Sequence, residues 1–242
     1  MHPNKSKLLK KLLLHFKKNV ILATKEYIKE IEGIYLIGSY ARGEQEKDSD
    51  IDILVVTEHT MKKIVYGKYS IKLIPIKKII HYLKTDAAKI YTMIFEAVPI
   101  VNSHLIATLK KTKLTIKSIL HFIPELKRNI HQNTELFTPE NIQSRKDSAL
   151  ALDFLMKRLR ELYFIMDMLN KKTNYSRKAF VSWIRNESAL KPLEARQIIY
   201  GFYRTKRNKP LTKKISPVLI HKLHDFLQSQ IYIFDNLRKI TT

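Results

Sequence analysis

Apolar positions follow two rhythms along this chain, divided near residue 112. Before that point they come in short runs. Ile34-Tyr35-Leu36-Ile37 and Ile51 to Val56 read as buried strands. Ile64 to Ile76 reads as a hairpin turning at Tyr66-Gly67-Lys68, with Tyr69 to Ile74 as the returning strand. Ala97 to Val101 reads as a short edge strand, where Pro99 is tolerated. Helical spacing is predicted for Ser6 to Ile31, where Leu8, Leu12, Phe16 and Val20 share a stripe. It is predicted again for Ile79 to Phe95 and for Ser103 to Lys110.

After the basic run Lys110-Lys111-Thr112-Lys113 the rhythm is helical throughout. Thr115 to His131 is amphipathic, with a break at Pro124. Thr138-Pro139-Glu140 has the form of a helix start, and the pattern runs on to about Leu169. Ala149, Leu152, Met156, Leu159, Tyr163 and Met166 form a bundle seam within it. Tyr175-Ser176 opens a helix carrying Phe180, Trp183 and Ile184, and Leu193 to Arg207 forms the next. Ser216-Pro217 caps the last, which carries Leu219, Leu223, Phe226, Leu227 and Ile231. The predicted class is α+β. A small mixed sheet with flanking helices, residues 1–112, precedes an all-α helical bundle, residues 113–242.

Chemistry concentrates between the first two strands. Gly38-Ser39 closes one, and ten residues later Asp50 and Asp52 open the next. Strand alternation puts both carboxylates on one face, a hard oxygen site suited to Mg²⁺. Gly38 lets a backbone N–H approach an anion, and Ser39 adds a hydroxyl. Phosphate oxygens beside a carboxylate-bound metal are the parts of a phosphoryl or nucleotidyl transfer site. Six of the 22 acids lie between Glu44 and Glu58, and a divalent cation would offset their repulsion. Arg42 has two readings: a triphosphate contact, or an ion pair with Glu44 or Glu46.

Gly-Ser, ten residues, Asp-x-Asp, with Ala41-Arg42-Gly43 and Ser49, resembles the signature of the DNA polymerase β-like nucleotidyltransferase superfamily. It looks most like the minimal and kanamycin-type members. The resemblance covers residues 34–57. It implies Mg²⁺ and the catalytic role at Asp50 and Asp52, with nucleotide binding by Gly38, Ser39, Arg42 and Ser49. It implies transfer of a nucleoside monophosphate from a triphosphate to an acceptor hydroxyl on RNA, protein or a small molecule. The family usually places a third carboxylate on the returning strand of the hairpin. Here Lys72 holds that position, and no acid occurs between Glu58 and Asp86. In kanamycin-type enzymes the bundle can lend a carboxylate; Asp147, Asp153 and Glu161 are available, Asp153 in the most apolar surroundings. The alternatives are a catalytically impaired nucleotide- or RNA-binding protein on this fold, or a toxin–antitoxin component.

Charge widens the picture. The 242 residues carry a formal net charge of +23, which predicts attraction to polyanions. A coding or thermal bias toward lysine explains the same number. Tyr200, Phe202 and Tyr203 precede the densest basic run, so Arg204, Lys206 and Arg207 are candidate nucleic-acid contacts. With no cysteine, disulfides, thiolate metal sites and thiol nucleophiles are excluded. The nine histidines show no metal spacing, and His221 and His224 read as surface residues. No apolar run reaches the length of a membrane span, and Lys10-Lys11 interrupts the N-terminal apolar stretch. The expected setting is cytoplasmic. The expected partners are nucleoside triphosphate and RNA, with a homodimer left open and no membrane.

Overall fold

The computed structural model describes residues 14–171, 174–207 and 209–241. The chain divides into two compact units between Leu114 and Thr115.

The first unit is built on a five-stranded mixed sheet. Its strands are β1 (Ile31–Ile37), β2 (Ile51–Thr57), β3 (Lys62–Tyr66), β4 (Tyr69–Pro75) and β5 (Val98–Val101), in the order β3-β4-β2-β1-β5. β1 lies antiparallel to β2 and β5, β2 parallel to β4, and β3 antiparallel to β4. Because side chains alternate along a strand, each face has its own set. Ile51, Ile53 and Val55 of β2 join Ile34, Leu36, Ile71 and Leu73 on one face. Phe16 and Val20 of α1 (14–23) pack on that face. The opposite face carries Asp52 and Leu54, with Ser70 and Lys72 as their neighbours on β4. It faces α3 (Ile76–Thr85), α4 (Tyr91–Phe95) and α5 (Ser103–Lys110). The remaining helical element of this unit, α2 (Gly38–Ala41), is a single turn.

Two predicted helices are shorter than their patterns. The predicted start at Ser6 lies outside the described residues, and the helix ends at residue 23, not Ile31. Buried Thr24 turns its hydroxyl back to the Val20 carbonyl at 2.7 Å. A 3-10 segment, Lys25–Glu30, then leads into β1 three residues earlier than expected. The stretch Ile79 to Phe95 is not one helix. Asp86 leaves helical geometry (φ −150°, ψ 68°) and splits it into α3, a 3-10 turn and α4. Asp86 is buried and pairs with Lys89 at 2.6 Å.

The second unit is helical: α6 (Ile116–Leu120), α7 (Ile123–Gln132), α8 (Arg145–Leu169), α9 (Arg177–Glu187), α10 (Pro192–Lys206) and α11 (Pro217–Thr241). Thr138-Pro139-Glu140 does not start α8. Asn141 N–H returns to the Thr138 carbonyl at 3.1 Å, which makes a turn. The start is a reciprocal cap six residues on. Ser144 Oγ accepts from Asp147 N–H at 3.2 Å, and Asp147 accepts from Ser144 N–H at 2.7 Å. Leu152, Met156 and Leu159 are fully buried on α8, and α10 and α11 pack against it. Among the described residues, no helix is long and apolar enough to cross a membrane.

Candidate active site

The site forms where β1 ends beside the start of β2. Ile37 pairs with Asp52, so the next residue, Gly38, sits against the Asp52 side chain. Gly38 has φ +71°, and a Cβ there would lie 2.6 Å from Asp52 Oδ2. Glycine is therefore required twice, for the backbone angle and for the space. Asp52 is half-buried at the sheet's rim, whereas Asp50 precedes β2 and is exposed. Among the described residues Asp50 makes no hydrogen bond or ion pair.

An acid that the sequence reading did not select completes the corner. Glu96, at the end of α4, accepts from Gly38 N–H at 2.7 Å through one oxygen. Its other oxygen accepts from the Arg42 guanidinium. Arg42 also donates to Glu44 at 2.9 Å. Burial pushes the Arg42 guanidinium down, but Glu96 and Glu44 outweigh it and hold it above its ordinary value. Arg42 is thus ion-paired within the chain, with Glu44 and Glu96. The anion at the Gly38 amide is Glu96. The only signal for Glu96 was its place just before the edge strand.

The other predicted residues lie close by along the chain. Among the described residues Ser39 Oγ has no hydrogen-bond partner. Ser49 Oγ accepts from Glu46 N–H at 2.8 Å and closes the loop ahead of Asp50. On β4, Ser70 pairs with Asp52 and Lys72 with Leu54, so both share the face of Asp52. Lys72 Nζ lies 4.0 Å from Met93 Sδ. No β4 residue supplies a carboxylate to that face.

Residues 17–137 match the family profile described as the nucleotidyltransferase domain, half of the chain. This chain belongs to the nucleotidyltransferase domain family. Nucleotidyl transfer is the family's general chemistry, with a nucleoside triphosphate as substrate and a divalent metal as its usual cofactor. The matched span crosses Leu114, so the family region includes α6 and α7. Among solved structures the chain is similar to a nucleotidyltransferase-like protein from Exiguobacterium sibiricum 255-15. The two are 14% identical over 90% of this chain and 74% of that one, with a TM-score of 0.35. No curated protein matches the chain.

The donors of the nucleotidyltransferase corner fit a hard divalent cation. Asp50 and Asp52 would supply carboxylate oxygens to such an ion, and exposed Asp50 leaves room for water and phosphate oxygens as further ligands. Among the described residues, no third carboxylate or imidazole closes with these two into a three-ligand group. The group that does come together is His221, His224 and Asp225 on α11, within 4.8 Å of one another. Sequence spacing did not mark it as a metal group. His224 there stacks on Phe137 at 4.8 Å, and burial lowers its pKa.

The bundle acids take separate roles. Asp147 caps α8, and Asp153 pairs with Lys157 at 2.5 Å. Burial pushes the Glu161 carboxyl up to about 7, against the pull of Arg158. In the basic run, Phe202 is a core residue and Tyr200 is exposed. Arg204 donates to the Pro210 carbonyl at 2.9 Å and to Tyr200 Oη at 3.2 Å.

Proposed function

We propose that this chain transfers a nucleoside monophosphate from a nucleoside triphosphate to an acceptor hydroxyl, with Mg²⁺ held by Asp50 and Asp52. The observation that carries the reading is the fit of Gly38 against Asp52, where a methyl group would sit 2.6 Å from the carboxylate. With no side chain at Gly38, the end of β1 lies close against the Asp52 carboxylate, and Asp50 is the second carboxylate of the proposed site. When bound, the metal supplies charge neutralisation for the phosphates and the leaving pyrophosphate. The chain's own residues position the reactants. Ser39 offers its hydroxyl to the triphosphate, Ser49 holds the loop before Asp50, and the Arg42–Glu96 pair braces the backbone at Gly38. The acceptor oxygen bonds to the α-phosphorus, the bond to the bridging oxygen breaks, and pyrophosphate departs. The acceptor's proton passes to solvent, because β4 presents Ser70 and Lys72 rather than a base. The net charge of +23 favours an RNA hydroxyl as acceptor over a protein or small-molecule one.

A second reading is favoured by Lys72 alone: a nucleotide-binding protein whose transfer has decayed. One pair of measurements separates the two. Titration calorimetry with each triphosphate and Mg²⁺ reports binding. Incubation with labelled triphosphate, followed by mass spectrometry of RNA and protein, reports transfer. Asp50→Asn with Asp52→Asn should abolish Mg²⁺-dependent binding while the protein stays folded. Equal Mg²⁺-dependent affinity in that variant would overturn the site. Binding with no transfer to any acceptor would establish the second reading.

A further inference from the structure

Five arginines line one recess of about 230 Å³ between α9 and α10. Arg177 and Arg185 come from α9, Arg196 and Arg204 from α10, and Arg207 caps its end. No carboxylate lines the recess. Arg196, Tyr200, Tyr203, Arg204 and Arg207 recur at helical spacing, so one stripe of α10 carries them all. Two of the arginines rest on aromatic rings, which preserve their charge. The Arg177 guanidinium lies 3.4 Å from the Tyr203 ring centroid, and that of Arg204 lies 5.7 Å from Tyr200's. Tyr200 is 55% exposed at the edge of this cluster. Lys206, which the sequence reading grouped with Arg204 and Arg207, is not among the lining residues.

Like charges gathered in one recess repel one another, and a bound anion offsets that repulsion. Guanidinium groups match phosphate oxygens in planar, two-pronged geometry. The recess is smaller than the roughly 300–1,000 Å³ of pockets that enclose a whole small ligand. It suits a phosphate with part of its nucleotide, the rest continuing outside. An exposed tyrosine beside clustered arginines is also the pairing that stacks an unpaired base next to its phosphate. We propose that this recess binds single-stranded nucleic acid, holding one phosphodiester among the arginines with a base stacked on Tyr200. The remaining positive charge of the chain draws in the flanking strand. This site is independent of Asp50 and Asp52 and of any transfer there.

Fluorescence anisotropy of the full chain, with labelled single-stranded RNA and DNA of one sequence over a range of salt, tests this. Arg196→Gln, Arg204→Gln and Arg207→Gln together should lower the slope of log affinity against log salt by about 2. Tyr200→Ala should weaken binding about tenfold and leave the slope unchanged. The control removes the same charge from exposed lysines elsewhere, Lys84→Gln, Lys111→Gln and Lys146→Gln, and should change the slope far less. A control variant as impaired as the arginine variant would overturn the proposal, since net charge alone would then explain binding. So would displacement of the strand by an equal concentration of free triphosphate, which would make the recess a nucleotide site. Asp50→Asn with Asp52→Asn should bind the strand as the unaltered chain does, so failure of the transfer reading leaves this result standing.

Discussion

Each unit holds a glutamate against an arginine, and burial acts differently on the two pairs. Glu96 and Arg42 are well enclosed, at 8% and 16% side-chain exposure, and they draw on separate parts of the first unit. Glu96 has two donors, Arg42 and the Gly38 amide, while Arg42 has two acceptors, Glu96 and Glu44. Glu161 has Arg158, three residues away on the same helix, at 2.8 Å. The Glu96 side chain is well enclosed and that of Glu161 is 33% exposed, and the outcomes diverge. At Arg42 the acids overcome the cost of burial and the charge is held firmly. At Glu161 burial overcomes Arg158, the Glu125 charge adds to it, and the carboxyl rises to about 7. The charge is kept where partners converge on it from several elements, and given up where its support comes only from its own helix, from Arg158 and Lys157.

Removing Glu96 should break this contrast with the largest effect. Glu96→Ala leaves Gly38 N–H without its acceptor and Arg42 with Glu44 alone, a loss expected to cost roughly 3–5 kcal/mol. Urea unfolding measures it. Glu96→Gln, which keeps an acceptor for Gly38 N–H, should lose less. A cost below about 1 kcal/mol for Glu96→Ala would mean that the convergence at this corner is incidental.

Adding a carboxylate sharpens the contrast from the other side. Lys72→Asp puts an acid on the face of Asp52, where a proton acceptor is missing. A positioned base contributes about 10²–10⁴-fold, so transfer of labelled nucleotide should rise on that scale. An unchanged rate would point to a base supplied from elsewhere in the chain.

The smallest effect concerns Glu161. Its carboxyl keeps a proton in the folded chain up to about 7, but in the unfolded chain only to about 4.5. The folded state therefore binds more protons between those values. Stability conferred by the neutral form is full below about 4.5 and is lost as pH rises through about 7. After screening of a partly exposed side chain, the change is about 1–2 kcal/mol. Thermal unfolding at about pH 5 and pH 8 should show this loss in the unaltered chain and a flatter profile in Glu161→Gln. Identical pH dependence in the two would assign the titration to another group.

How much of this was legible in the residues depended on how local the cause was. The β3–β4 turn was readable because Gly67 takes φ +57° in a two-residue connection. Ser103–Lys110 was readable because helical spacing and both ends lie within one short segment. The start of α8 was misplaced because Thr138-Pro139 and Ser144-Asp147 are both respectable caps, and only one is followed by an unbroken helix. The break at Asp86 carries no proline or glycine. It falls at a buried aspartate paired to Lys89 three residues on, and apolar spacing does not show that burial. At the site, Gly38, Asp50 and Asp52 stood out because their chemistry is close in sequence. Glu96 did not, being a single acid 58 positions from its donor, the Gly38 N–H. The arginine recess was half visible. Its α10 stripe includes part of the basic run, but Arg177 and Arg185 join it only through the packing of α9.

That separation of 58 positions between Gly38 and Glu96 also orders events in time. β1 and β2 pair across residues 38–50, whereas β5 pairs with β1 only after three intervening strands, β2, β3 and β4, and helices α2, α3 and α4. Long-range closures of this kind come late in folding, after the local contacts that make them affordable. During synthesis, Asp50 and Asp52 leave the ribosome well before Glu96 does, so an emerging chain has its acids in place while the Gly38 amide still lacks its acceptor. The corner matures as the last strand docks, and a chain cut short ahead of β5 would carry the motif in full without the brace that holds it in shape.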